Sequence, residues 1–131
     1  MEIISIATQR REELVDITSL IQERIRERGW RDGLVYIYCP HTTGAITINE
    51  SADPSVARDI ISTLCKLIPH KGDYSHLEGN SDAHIKSSLV GCSEMAFLEG
   101  GKLILGTWQG IFFAEFDGPR KRKVYLKFVS L

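Results

Sequence analysis

The sequence predicts an α+β fold. It reads as one compact domain over residues 1–131, with seven or eight strands in a mostly antiparallel sheet or sandwich and two main helices. Three observations carry this expectation. Two segments place apolar residues at helical spacing. Several others alternate or form short apolar runs. The C-terminal third holds four β-rich runs separated by Gly and Pro turns.

The length suits one domain with one core. At 43% hydrophobic and 25% charged residues, the chain has the composition of a folded globular protein. The 16 Lys and Arg nearly cancel the 17 Asp and Glu, and the isoelectric point lies near 6.4. That balance lacks the basic footprint of a general nucleic-acid binder, yet it leaves room for a local patch that holds a small phosphorylated molecule. No apolar run approaches the roughly 18 residues that suggest a membrane span. The opening "MEIISIATQRREE" is not a secretory signal. Cys39, Cys65 and Cys92 form no CxxC pair. Cys39 and Cys65 read as buried thiols in a reducing cytoplasm.

The elements follow in order. "EIISIATQ" alternates Ile3, Ser5 and Ala7 against Ile4 and Ile6 and reads as a first strand; "ELVDI" extends it or pairs with it. "TSLIQERIRERG" puts Leu20, Ile21 and Ile25 on one helical face, with Asp16 or Thr18 as cap and Gly29 as stop. "GLVYIYC" is almost continuously apolar and predicts a strand buried on both faces. "GAITINE" alternates Ile46 and Ile48 against Thr47 and Asn49. Asp53 before Pro54 is an N-cap followed by proline at the first helical position. Val56, Ile60, Ile61, Leu64 and Ile68 mark the face this second helix buries. "AHIKSSLVG" predicts a short third helix ending at Gly91. "EMAFLE", "KLILGTW", "GIFFAEF" and "KVYLKFV" predict the closing strands.

The chemistry-bearing residues concentrate in a few places. "YSHLEGNSDAHIK" carries His76 and His84 among Glu78, Asn80, Ser81 and Asp82, with little that is apolar. Neutral imidazole is a common zinc ligand, so these two with His41 of "CPHTTGA" suggest an open three-histidine site. Asp82 and Glu78 are then ligands, partners of ligands or a base for bound water. Asp82 also has a plain reading as N-cap of the short helix. His41 equally fits a simple turn, with Thr42 and Thr43 bonding the backbone.

Asn49 and Glu50 end the alternating strand. Glu50 is a candidate base, against the reading of a solvated carboxylate. Gln109 in "LGTWQG" needs hydrogen-bond partners if buried, whereas Trp108 reads as core. Glu115 shares a face with Phe113, so that face is open to water or Glu115 pairs with a cation or metal. In "DGPRKRK", Arg120 is the guanidinium fork of an anion patch or one charge of a solvated turn.

"HTTGAITINESADP", "YSHLEGNSDAHIKSSLVG" and "GKLILGTWQGIFFAEFDGPRKR", in that order, resemble the YjbQ-like family, also described as secondary thiamine-phosphate synthase. The resemblance runs essentially the whole chain. It implies a compact α+β homotrimer in the cytoplasm of bacteria or archaea. It also implies an activity joining a hydroxymethylpyrimidine pyrophosphate to a thiazole phosphate. His41, Asn49, Glu50, Asp59, His76, Asp82, His84, Gln109 and Glu115 fall where that family carries the same polar types, and Arg120 matches its Pro-Arg. Phe97 stands where the family usually has proline. Ser81-Asp82 stands where many members have two acids.

These observations assign His41, His76 and His84 as metal ligands, and Glu50 and Asp82 as catalytic. Asn49, Gln109, Glu115 and Arg120 are assigned to substrate. Zinc suits three histidines, while magnesium suits a synthase handling diphosphate. Two alternatives stay open: a zinc-dependent hydrolase or phosphoesterase, and a non-enzymatic trimer that binds a metal or ligand.

Overall fold

A computed structural model describes residues 1–131. The order is β1 (Glu2–Ala7), β2 (Glu13–Asp16), α1 (Thr18–Arg28), β3 (Gly33–Tyr38), β4 (Gly44–Glu50), α2 (Pro54–Leu67) and α3 (Ser81–Val90). It closes with β5 (Ser93–Glu99), β6 (Lys102–Ile104), β7 (Gln109–Glu115) and β8 (Lys121–Ser130). β1-β8-β3-β5-β6 form a five-stranded sheet and β2-β7-β4 a three-stranded one. Every pairing is antiparallel. The fold is the expected α+β sandwich, with a third helix added to the two main ones.

Alternation builds the core. On the large sheet, Ile4, Ile6, Val35, Ile37, Ala96, Leu98, Val124 and Leu126 point inward. They meet Ile46, Ile111 and Phe113 of the small sheet and Ile21 and Ile25 of α1. Each fully buried side chain of this size stabilises the fold by roughly 1.5–3 kcal/mol. The other face of the small sheet presents Ala45 and Ala114, which pack with Phe116, with Ala83 of α3 and with Ile61 and Leu64 of α2. Small residues there let α3 lie close to β4.

Several expectations need correction. β2 does not pair with β1. It joins the small sheet, where Leu14 stands opposite Ala114 and Val15 opposite Phe113. In α1, Ile21 and Ile25 are buried but Leu20 is exposed, because only that narrow stripe meets the sheet. No side chain caps α1; Asp16 Oδ1 instead accepts from Thr18 N at 3.0 Å and from Thr18 Oγ1 at 2.7 Å. Gly29 ends the helix in the left-handed conformation, φ 67°, where a side chain costs energy.

β3 is not buried on both faces. Val35 and Ile37 point into the sandwich, while Tyr36 and Tyr38 are 44% and 45% exposed. Tyrosine supplies apolar surface without requiring burial, so a continuous apolar run hid a one-sided strand. α2 has the expected cap, with Asp53 accepting from Ser55 N at 2.9 Å. Its apolar face is only half-buried, because the helix lies at the margin of the small sheet. Trp108 is 64% exposed, not core. It sits in the tight turn between β6 and β7, where Gln109 Oε1 accepts from Gly106 N at 2.8 Å. No helix is long and apolar enough to cross a membrane.

Candidate functional site

His41 lies just after β3, in the connection that reverses the chain into β4. The backbone N–H of Lys123 in β8 donates to His41 Nε2 at 2.9 Å. An imidazole accepting at Nε2 carries its proton on Nδ1 when neutral. Burial pushes its pKa below the ordinary histidine value, and repulsion from the Arg122 guanidinium adds to this. His41 is therefore a neutral, oriented donor. With Thr42, His84, Ser88 and Cys92 it lines a cleft of about 420 Å³.

His84 stands one turn into α3, where its N–H bonds to Asn80 O at 3.3 Å. Its ring meets His76 edge-to-face, centroids 5.4 Å apart. Both also line a second cleft of about 410 Å³ with Tyr74, Asp73 and Ser81. His84 thus belongs to both clefts, with His41 on one side and His76 on the other. His70 holds the intervening loop through a 2.8 Å bond to Gly79 O. Asp73, Tyr74, Ser75 and His76 of the polar loop form one wall of the cleft that His84 closes from α3.

No group of three or more His, Cys, Asp or Glu side chains is arranged to hold a metal ion. Nε2 of His41 is occupied by the β8 backbone, and only His76 and His84 are in ring contact.

Asp82 is not the α3 cap; Asn80 holds that position. Asp82 is fully buried. Arg11 Nη2 meets Asp82 Oδ1 at 3.0 Å, Arg11 Nη1 meets Oδ2 at 3.1 Å, and Lys86 Nζ meets Oδ2 at 2.9 Å. Burial alone would raise its pKa; the hydrogen bonds and charges of Arg11 and Lys86 outweigh it and hold the carboxyl below its usual range. Lys86 Nζ also bonds Glu12 Oε2 at 2.8 Å, and Cys65 Sγ donates to the same oxygen. Burial, then Glu12, pushes the Cys65 thiol up. This network clamps α3 to the β1–β2 connection and to α2. The sequence offered one sign of it, the i,i+4 spacing of Asp82 and Lys86. Arg11 and Glu12 lie too far away in sequence to be read as partners.

Glu115 is also fully buried. It accepts from Arg122 Nε at 2.9 Å, Thr8 Oγ1 at 2.7 Å and the Asp117 N–H at 3.1 Å, and makes a second close contact with Arg122 Nη2. Of the two readings of Glu115, the cation pairing is the one present. Its oxygens are committed inside the sandwich. Arg120 is half-exposed; its Nη2 bonds Asp117 Oδ2 at 3.1 Å, and Asn80 Nδ2 bonds the same oxygen at 2.8 Å. Asp117 thereby ties Arg120 to the start of α3.

Asn49, Glu50 and Gln109 lie at the other end of the small sheet. Glu50 stands opposite Gln109, and Gly44 opposite Glu115. Six residues of strand separate the two ends by roughly 20 Å. Asn49 Oδ1 accepts from Glu50 N at 2.7 Å, while Glu50 Oε2 is buried with no partner. Asp59 is exposed on α2.

Fold and site together define a small antiparallel sandwich protein with a histidine-lined double cleft beside one anchored helix. The chain belongs to the YjbQ-like family: the description "UPF0047 protein YjbQ-like" matches residues 2–131. It is 62% identical over 125 residues to a UPF0047 protein of Methanocaldococcus jannaschii, covering 95% of this chain and 91% of that one. It is 47% identical over 131 residues to YugU of Bacillus subtilis, covering 99% of each. A crystal structure of a YjbQ/UPF0047 protein from Clostridium acetobutylicum superposes with a TM-score of 0.95 at 53% identity, covering 98% of this chain and 100% of that one.

Proposed function

We propose that the protein is a cytoplasmic enzyme for phosphorylated small molecules, working in the double cleft centred on His84. Its reaction in this reading is the thiamine-phosphate synthase type that the resemblance implies. The observation that carries it is the position of His84, shared by two adjoining clefts with His41 and His76 on either side. Each cleft is within the size range of small-molecule sites, and two of them match two substrates.

The C–O bond between the pyrimidine methylene and its diphosphate breaks, and the pair of electrons leaves with the diphosphate. The thiazole nitrogen supplies the pair that forms the new C–N bond. The chain's task is to stabilise charge on the leaving group. His41 Nδ1–H is an oriented donor for that purpose, His84 donates from between the clefts, and Arg120 adds a guanidinium near the start of α3. No group of three or more His, Cys, Asp or Glu in the single chain favours the zinc-hydrolase alternative.

The proposed assembly is the homotrimer. Tyr36, Tyr38, Met95, Phe97 and Ile104, all more than a third exposed in the single chain, give the outer face of the large sheet the apolar surface an assembly would cover.

The test is incubation with both precursors and magnesium, following thiamine phosphate by chromatography. Product should form, and His84→Ala should lower its rate by about 10²-fold or more while the protein stays folded. Absence of product with the natural chain sinks the synthase reading. Full activity in His84→Ala removes the reaction from this cleft.

A further inference from the structure

A third cleft lies at the opposite end of β3. It occupies about 580 Å³ between the end of α1 and the β5–β6 turn. Arg26 comes from the last turn of α1, Arg31 from the connection to β3, and Lys102 from the first position of β6. Trp30 lines it too, one face of its indole stacked on Phe128 with centroids 5.2 Å apart. The six residues of β3 hold this cleft roughly 20 Å from the histidines.

Its charge is one-sided. None of its lining residues is acidic. Arg26, Arg31 and Lys102 form none of the chain's ion pairs. Nearby acids are engaged elsewhere or stand apart. Asp32 Oδ1 accepts from Gly100 N at 2.9 Å, Glu27 pairs with Arg24 at 3.5 Å, and Glu99 faces Lys102 across the hairpin without an ion pair. Arg26 has an ordinary job at a helix C-terminus, offsetting the dipole. Arg31 and Lys102 have no such job, and they come from separate segments.

The floor is built to bring them together. Gln22 Nε2 donates to Gly101 O at 2.8 Å, and Gln22 Oε1 accepts from Leu103 N at 3.1 Å. Gly101 N in turn donates to Arg31 O at 3.0 Å. Gly101 has φ +79°, and a Cβ there would lie 4.0 Å from Arg31 Nη1. The turn therefore sits under the guanidinium and next to the lysine. Guanidinium and ammonium groups lining one cleft without a carboxylate suit phosphate oxygens.

We propose that this cleft is a second binding site, for a phosphate-bearing small molecule, separate from the histidine clefts. Arg31 and Lys102 grip the anion, and Trp30 reports its presence. The chain has two tryptophans, so Trp108→Phe leaves Trp30 as the only indole. Inorganic pyrophosphate titrated into that variant at low salt should change its fluorescence saturably. Adding Arg31→Ala and Lys102→Ala should weaken the response at least tenfold. Arg31→Lys should retain most of it, His84→Ala should leave it unchanged, and added salt should weaken it. No saturable response overturns the proposal, as does one indifferent to Arg31→Ala with Lys102→Ala. A response abolished by His84→Ala assigns the anion to the histidine clefts instead. The site does not depend on the synthase reading, and either can fail alone.

Discussion

Among single residues, Glu115 shows how a carboxylate that reads as functional can be structural. The alternation of β7 places it inward, beside Phe113. There it meets Arg122, whose guanidinium also donates to Thr43 O and Oγ1 at 3.2 and 2.8 Å. Removing one member of a buried pair leaves the other charge uncompensated. Glu115→Gln should therefore cost about 3–5 kcal/mol in urea unfolding. The pH dependence follows from the same contacts. Burial alone would raise the Glu115 pKa, but Arg122, Thr8 and the Asp117 N–H together hold it below the ordinary value. Its contribution is complete above the unfolded pKa of about 4.3 and is lost as pH falls through the lower native value. Glu115→Gln should show a shallower fall of stability with acid than the natural chain. Equal acid slopes would show that Glu115 carries no such linkage.

Among elements, α3 matters most, because it positions His84 and little else in its sequence explains its placement. Its apolar contribution is small: Ala83 is its only fully buried hydrophobic residue. Charge anchors it instead, through Asp82 and Lys86 to Arg11 and Glu12. Lys86→Met should loosen the helix, speeding amide exchange across 81–90 and lowering activity through His84. The expected stability cost is about 1.5–3 kcal/mol, since Asp82 and Glu12 lose one of the two cations they share and keep Arg11. Unchanged exchange in that segment would show that apolar packing alone holds α3. The sequence made the helix visible through the stop at Gly91 and the polar loop before it. It did not reveal the anchor, since pairing between Arg11 and Asp82 is set by tertiary structure. Asp82 consequently read as a cap or a base. By contrast, α2 was legible down to its cap, because Asp53-Pro54 is a local signal that needs no partner elsewhere.

For the whole molecule, the strands were legible because alternation is local, but the division into two sheets was not. β2 follows β1 closely and still pairs with β7, a choice made by the core rather than by the connecting segment. The histidine cluster was legible as a polar loop, whereas the edge-to-face contact of His76 with His84 depends on tertiary packing. The outer face of the large sheet was hidden for the opposite reason: apolar residues on both sides of β3 and β5 look the same in sequence whether a protein core or another subunit covers them. Phe97 is 58% exposed on that face and stands opposite Ile104. In the proposed homotrimer it is covered by a neighbouring copy. Phe97→Glu then places a carboxylate in each covered apolar patch, with no cation paired to it, which opposes association. Sedimentation should give a trimer for the natural chain, a monomer for Phe97→Glu and a trimer again for Phe97→Leu, which keeps the apolar surface. A natural chain that sediments as a monomer at micromolar concentration would remove the trimer, and a trimeric Phe97→Glu would move the interface off this sheet.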